Sequence, residues 1–582
     1  MAVIGSPVDV LSTEAPLRLA EGYYLDNLEQ VVLHALQRYR AILHDEEAAA
    51  LERFLALPLG PRRLYARLYL RQGPLFRLSQ LDYPEVGTLA EALRTLEGAG
   101  FVARCGLPVN PDDTREFLWL FTADELKAAA RVAGLRVSSR KEDLVADIRG
   151  SQEASARLRA SELFVERLQA PVFDLAQLLF FGNLGQDLSE FVRVSLQVAR
   201  YPDYELAQDL PLFPSREALE AHLDAVAFES RPLPLDQPTL LLGHLREAVA
   251  GLVESVPTPA HAWRLDPRRC FARVAYACAR ELERQDVVDG VLDAYVTLVR
   301  HAPQSRIRAE AADRLGLLAR RAGVPERFTT ESAALLADPT LDDVARFAVE
   351  TRAALVTGGV RPRRRLCEAP VVELALQPAG HLGPKPQYRG ASGEPVSVEH
   401  ATLEALGGGL HAENALYRTL FGLLFWDVIY ARVPGMFQHR FQSAPLDLAS
   451  EHFHRNRRVL VEGRLGVLAG TSLGAEVRAA WERHRGTINA CVDWSEYTAE
   501  QLVAAADALG GRLLPLLERL AWNPRRHARG LPDLLVLAES GPMLVEVKGP
   551  GDQLHLEQRL WHDALLRMGL EVRLARVRRA DS

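Results

Sequence analysis

Apolar residues recur at helical spacing from early in the chain. Tyr24, Leu28, Val31, Val32 and Leu36 share one face and predict a helical opening up to about residue 70. Between 74 and 105 a short helical stretch ends at Gly98 and Gly100, and an extended Phe101-Val102-Ala103 follows. Residues 121–149, FTADELKAAARVAGLRVSSRKEDLVADIR, predict two short amphipathic helices. Thr122 or Asp124 caps the first and Gly134 ends it, while Ser138 or Ser139 starts the second. From about 160 to 355 Ala and Leu keep helical spacing with no strand signal, as in AYACARELERQDVVDGVLDAYVTLVRHAP. Residues 356–398, rich in Gly, Pro and Arg, read as a linker with one or two strands. The period changes at Leu531. Leu534-Leu535-Val536-Leu537, a turn through Glu539-Ser540-Gly541-Pro542, and Met543-Leu544-Val545-Glu546-Val547-Lys548 predict a hairpin of almost wholly apolar strands. A helix with Gln558, Trp561 and Leu565 on one face and a last strand, EVRLARV, complete the pattern.

At 582 residues the chain exceeds one ordinary core, so two to four domains are expected. With 48% hydrophobic and 25% charged residues the composition is that of a folded protein and excludes a disordered one. The formal charge of -7 excludes a uniformly basic surface, so any site for a polyanion must be local. Arginine runs occur at Arg361, Arg363, Arg364 and Arg365, and again at Arg525, Arg526 and Arg529; each reads equally well as a solvated loop. Cys105, Cys270, Cys278, Cys367 and Cys491 lack the paired short spacings of a zinc site or a disulfide framework, which fits a reducing cytoplasm. The start, MAVIGSPVDV, has no basic stretch leading into an apolar one, and no run of eighteen apolar residues follows, so neither export nor membrane insertion is expected.

The chemistry concentrates in the hairpin. Glu546 and Lys548 are two residues apart and point to one face of a strand that is otherwise apolar. A charged pair there is costly unless compensated, and a divalent cation shared with Asp533 would compensate it. The bland alternative is an edge hairpin with snorkelling charges. His452 with His454, and His555 with His562, lack partners at metal-ligand spacing. Gly407-Gly408-Gly409 is no phosphate loop, because no Lys-Ser/Thr pair follows it.

Pro532-Asp533 with Glu546-Val547-Lys548 resembles the core of the PD-(D/E)XK nucleases. The resemblance implies that Asp533 and Glu546 hold Mg²⁺ or Mn²⁺, as one or two ions, with the carbonyl of Val547 as a further ligand. Lys548 would orient or help deprotonate the attacking water. Gly549-Pro550-Gly551-Asp552 and the helix after it resemble the VRR nuclease domain, whose supporting glutamine matches Gln558. Upstream, the stretch 409–457 resembles the region that precedes this core in the Fanconi-associated nuclease family. Glu413 there matches a further metal ligand, and Asn414 stands where that family often has Gly. On spacing alone Glu413 would be an ordinary helix-start acid. The interval from Asp533 to Glu546 is slightly short for the family, as if the turn were trimmed.

Other parts resemble known modules more loosely. Residues 74–105 resemble a winged-helix element, and 121–149 a SAP-type helix-linker-helix, with Phe121, Leu126, Leu135, Lys141 and Leu144 at matching positions. Such modules commonly bind DNA. The helical stretch beyond resembles a short solenoid of tetratricopeptide type. The expected organisation is multidomain: 1–73 a helical region, 74–160 a winged-helix/SAP-like DNA-binding region, 161–370 a TPR-like scaffold, and 371–582 an α/β PD-(D/E)XK (VRR) nuclease domain. The resemblance implies a bacterial, metal-dependent, structure-selective nuclease of the cytoplasm and nucleoid that acts on branched or 5′-flap DNA. It also implies 5′-to-3′ exonuclease activity, a role in interstrand-crosslink repair, and no organic cofactor. Lys141, Arg525 and Arg526 are candidate DNA contacts, and a basic cluster from the helical regions is expected to read a 5′ phosphate. The rivals are a Holliday-junction resolvase or restriction-type endonuclease on the same core, and a non-catalytic DNA-binding scaffold.

Overall fold

The computed structural model describes residues 22–580, apart from 72, 106–116, 161–162, 184, 197–198, 208, 289, 340, 359–365, 383–384 and 540. The arginine run at 361–365 lies outside the described residues. Two compact units are present, one within Thr13–Val198 and the other within Ala199–Ser582.

In the first unit the predicted opening helix is Tyr23–Tyr39, which buries Leu28, Val31 and Val32. Phe54, Tyr65, Phe101 and Phe173 interlock with edge-on and tilted rings to form an aromatic core. A three-stranded antiparallel sheet places Phe164–Arg167 between Leu75–Arg77 and Val102–Cys105. The helix pair Ala123–Val132 and Lys141–Arg149 therefore lies, in sequence, inside the connection to the central strand. Thr122, not Asp124, caps the first helix in a reciprocal box with Glu125. Arg77 clamps that same Glu125 in two hydrogen bonds of 2.9 and 2.7 Å, and this clamp together with the cap pulls its carboxyl down to about 2. Neither Ser138 nor Ser139 caps the second helix, which begins at Lys141. The Ser138 hydroxyl instead donates to Asp143 at 2.7 Å and accepts the Arg140 N–H.

In the second unit the helices Pro238–Glu254, Arg268–Arg284, Val291–His301, Ser305–Arg321, Pro325–Ala337 and Asp343–Val356 pack in succession through a shared Ala- and Leu-rich core. Among the described residues no helix is long and apolar enough to cross a membrane.

Beyond the solenoid stands a five-stranded mixed sheet in the order Val371–Leu376, Glu571–Arg579, Gly541–Lys548, Leu534–Ala538, Gly409–His411. Gly541–Lys548 runs parallel to Glu571–Arg579 and is joined to it by the helix Leu556–Arg567. Both faces are covered, which accounts for the unbroken apolar runs. Leu534, Val536, Val545, Val547, Ala575 and Val577 pack with Ala401 and Leu403 of the helix Val398–Ala405. Leu535, Leu544 and Val572 belong instead to the large core that includes Trp561 and Leu565. The stretch expected to be a linker with one or two strands carries four among its described residues: Val371–Leu376 is the sheet's edge, parallel to the last strand, and Pro378–Leu382, Lys385–Arg389 and Pro395–Val396 pair antiparallel in a small meander. The partner of that edge strand lies some two hundred residues away, so no local pattern could reveal the pairing.

The glycine run at 407–409 has a backbone purpose. Gly409 adopts φ +148°, and a Cβ there would sit 2.2 Å from the carbonyl oxygen of Leu535. Gly409→Ala is expected to push the outer strand off the sheet and to cost about 1–3 kcal/mol from the backbone conformation alone. A thermal melt followed by circular dichroism checks this, and an unchanged midpoint would refute it.

Candidate active site

Asp533 immediately precedes the strand Leu534–Ala538, and Leu534 pairs with Val545 across the antiparallel ladder. One step further along that register Asp533 faces Glu546. Its Oδ2 accepts the Val547 N–H at 2.8 Å. Its main-chain carbonyl accepts the N–H groups of Ala412 and Glu413 at 2.7 and 2.9 Å. These two bonds bring the start of the helix Glu413–Leu424 against Asp533. Glu413 itself adopts φ +34°, one of three non-glycine residues at positive φ among those described, and Asn414 continues into the helix.

Glu546 is 0% exposed. Its Oε1 accepts hydrogen bonds from the Gln558 amide and, at 2.8 Å, from the Lys548 ammonium. Its Oε2 is buried with no hydrogen-bond partner. Burial and the facing Asp533 push the Glu546 carboxyl up to about 7, against the pull of Lys548. Asp533 is raised as well, mainly by burial, with the Val547 N–H and Lys548 opposing and Glu399 and Glu413 adding repulsion. Glu399, in the first turn of Val398–Ala405, was not among the predicted site residues; no spacing ties it to the hairpin.

Gln558 is oriented by its own helix. Its carbonyl oxygen accepts the His555 N–H at 3.0 Å in a capping box, which leaves the NH₂ group for Glu546. One turn later His562 is 2% exposed, and its Nε2 has no partner. Burial and the Lys548 charge push its imidazole down to about 4, so it is neutral at pH 7.

Glu413, Asp533, Glu546, Val547, Lys548 and Gln558 are thus brought together, with Glu413 felt electrostatically by both other carboxylates. Like charges repel, and among the described residues no three His, Cys, Asp or Glu side chains close to a metal-ligand spacing on their own. The fit to a cation rests on the cross-strand pair and on the buried, unpartnered oxygen of Glu546. Lys141 lies elsewhere, in the unit Thr13–Val198; its ammonium donates to the Trp119 carbonyl at 2.9 Å and sits over that indole ring.

A cavity of about 550 Å³ opens where the solenoid meets the nuclease region. Arg268, Arg269, Arg306, Arg455, Arg525, Arg526 and Arg529 line it, against only three carboxylates, Asp266, Asp342 and Glu451. Arg268 is paired with Asp266 at 2.6 Å, whereas Arg455, Arg525 and Arg529 have no carboxylate partner among the described residues. Burial, with Arg273 and Arg264 adding to it and Asp266 opposing, lowers Arg269 to about 10; the excess of guanidinium groups over carboxylates along the cavity favours an anion. Arg525 and Arg526 were predicted as DNA contacts. Arg268 and Arg269 begin one helix, Arg306 lies on Ser305–Arg321 and Arg455 on His452–Ala469, and only the fold brings them to the run at 525–529.

Two family models match the chain: the HTH domain of FAN1 over residues 22–103 and the VRR-NUC domain over 471–579. Mixed sheet, buried carboxylates and matched domain together define a DNA nuclease of a generally metal-dependent class. A Fanconi-associated nuclease 1 homolog of Pseudomonas aeruginosa is 32% identical over 93% of this chain and 92% of the relative. The homolog of Arabidopsis thaliana is 29% identical over 96% of this chain, and the human protein 26% over 95%. The chain spans 67% and 62% of the length of those two relatives. The crystal structure of paFAN1 bound to DNA with a two-nucleotide 5′ flap and a gap superposes with a TM-score of 0.78 and 27% identity, over 98% of this chain and all of that one. The chain belongs to the Fanconi-associated nuclease family.

The raised Glu546 carboxyl has a consequence for stability. Its folded value lies near 7 against an ordinary 4.5, so between those pH values the folded chain holds more protons than the unfolded one. Without a divalent cation, stability is therefore expected to be fully present below pH 4.5 and to fall through about pH 7, by on the order of 3 kcal/mol. A cation held by Glu546 would compete with that proton, and Mg²⁺ should then raise the melting temperature more at pH 8 than at pH 5.5. Calorimetric melts with and without Mg²⁺ read this directly, and Glu546→Gln should flatten both dependences.

Proposed function

We propose that this chain is a structure-selective DNA nuclease of the PD-(D/E)XK type that hydrolyses a phosphodiester near 5′ flaps and branch points. The observation that carries the reading is the buried Glu546, with one oxygen unpartnered, facing Asp533 across the ladder and held by Lys548 and Gln558. The complexes of paFAN1 with 5′ flap DNA support the choice of substrate. On the same reading the chain also degrades DNA in the 5′-to-3′ sense and serves interstrand-crosslink repair in the bacterial cytoplasm, at the nucleoid.

Asp533, Glu546, the Val547 carbonyl and Glu413 would hold Mg²⁺ or Mn²⁺, as one or two ions. Such a cation supplies Lewis acidity toward the phosphate and the attacking water. Lys548 offsets charge that develops on the phosphate, and Gln558 fixes the Glu546 carboxylate so that one oxygen stays turned to the site. The arginine cavity takes a phosphate of the DNA, with Arg525 and Arg526 on the side closest in sequence to Asp533. Lys141, whose ammonium has donors beyond the one given to Trp119, serves as a duplex phosphate contact in the other unit.

Asp533→Ala or Glu546→Ala is expected to reduce Mg²⁺-dependent cleavage of a labelled 5′-flap duplex to background while binding stays nearly intact, because cationic contacts supply most of the affinity. Glu413→Gln should lower the rate by orders of magnitude without unfolding. Were Glu413 only a helix-start charge, worth about 0.3–1 kcal/mol, the same variant would cut normally and melt slightly earlier. Cleavage rates and melts on one preparation decide between the two.

Arg525→Ala tests the cavity. Affinity for flap DNA should fall, and the slope of log K against log salt should become shallower by about one, as one phosphate contact is lost. Binding titrations at several salt concentrations measure it; an unaltered slope would remove Arg525 from the interface.

A further inference from the structure

The last strand carries a cation that the site described above does not use. Glu571–Arg579 lies parallel to Gly541–Lys548, and the register sets Leu544 against Val572, Glu546 against Leu574 and Lys548 against Arg576. Side chains alternate between the two faces of a sheet, so Leu544, Glu546 and Lys548 share one face with Val572, Leu574 and Arg576. The packing agrees, because Leu544 and Val572 enter the same core as Trp561. Arg576 is therefore the neighbour of Lys548 on the face that bears Glu546, with the two strands about 4.8 Å apart.

The two cations differ in their surroundings. Lys548 is mostly buried and is held by Glu546 at 2.8 Å. Arg576 is exposed. On its other side the register places Glu373 of the edge strand, but the Glu373 carboxylate accepts from Arg578 at 2.9 Å instead. A structural role for Arg576 would be to close the ion pair with Glu373, and that pair is closed without it. Its guanidinium is left with no carboxylate partner among the described residues.

An unpaired guanidinium offers a planar fork of donors that matches a phosphate. Successive phosphates of one DNA strand are about 3.4 Å apart along the helix axis, which is comparable with the step from one β-strand to the next. A phosphate placed at Lys548 thus brings its neighbour on the same DNA strand toward Arg576. We propose that Arg576 holds the phosphate adjoining the one that is cut and so sets the path of the cleaved strand past Lys548. This rests on the nuclease reading above and deepens it, adding a positioning residue from a strand that supplies none of the carboxylates.

The test uses the full chain and a labelled 5′-flap duplex in which the phosphates on either side of the mapped incision are replaced, one at a time, by an uncharged methylphosphonate. Single-turnover cleavage in Mg²⁺ at a series of protein concentrations gives the half-saturation point and the saturated rate for each substrate. Arg576→Ala is expected to weaken half-saturation on the all-phosphate duplex by about 10- to 100-fold, the range of a hydrogen-bonded contact between charged groups, with a smaller change in the saturated rate. A methylphosphonate at one of the flanking positions should weaken wild type by a similar factor. On that substrate Arg576→Ala should lose little more, because the contact it removes is already gone. Arg576→Lys, which keeps the charge but not the fork, should retain part of the affinity. Unaltered half-saturation in Arg576→Ala overturns the proposal. So does an equal loss on every substrate, which would give Arg576 a role in the sheet rather than at a phosphate. A melt of each variant is read alongside, and should Arg576→Ala unfold, Arg576→Lys carries the same comparison. Wild-type cleavage without this coupling sinks Arg576 alone, whereas no cleavage of the all-phosphate duplex by wild type sinks the flap reading itself.

Discussion

Asp533 is held at both ends. Its main-chain carbonyl takes two N–H groups at the start of Glu413–Leu424, and its carboxylate takes one from the neighbouring strand. One residue thus ties together three segments, the first of them 120 residues upstream of Asp533. The facing position of Glu546 follows from the same ladder, and a slip of one residue would turn Glu546 and Lys548 to the other face of the sheet. The positive φ of Glu413 is the local strain that accompanies this closure.

Electrostatics divides the unit into two opposite regions. At the hairpin, carboxylates are buried against one another and their pKa values rise. In the cavity, arginines are crowded and that of Arg269 falls. Each region is unfavourable alone, and on the function proposed above a cation would relieve the first and a phosphate the second. The net charge of -7 conceals this, because the whole-chain sum averages two local extremes.

Contacts through Asp343, at the start of the solenoid's last helix, join the scaffold to the nuclease region. Arg519 and His527 both reach it; burial opposes its ionisation, but these two partners outweigh burial and hold its carboxyl well below the usual range. The Trp561 N–H donates to the His527 carbonyl at 3.0 Å, and Arg519 lies over the Trp561 ring. Trp561 shares its helix with Gln558, so the scaffold is linked to the helix that supports Glu546.

Local pattern was enough for the elements with strong periodicity: the opening helix, the solenoid helices and the apolar hairpin all stand where their spacing predicts. It was enough, too, to single out Asp533, Glu546 and Lys548, because charges two residues apart on a buried strand demand a compensating partner. What spacing did not carry was anything decided by long-range pairing. Val371–Leu376 fell in a stretch read only as a linker with one or two strands, because an edge strand has one pairing neighbour, and that neighbour lies at the far end of the chain. Glu399, the amide orientation of Gln558 and the left-handed turn at Glu413 depend on which helix end meets which strand. Sequence determined which groups needed a partner, since burial and charge are local properties of a patterned chain. Only the tertiary structure decided which partners they found, because the register of the sheet and the meeting of helix ends are set by contacts between distant segments.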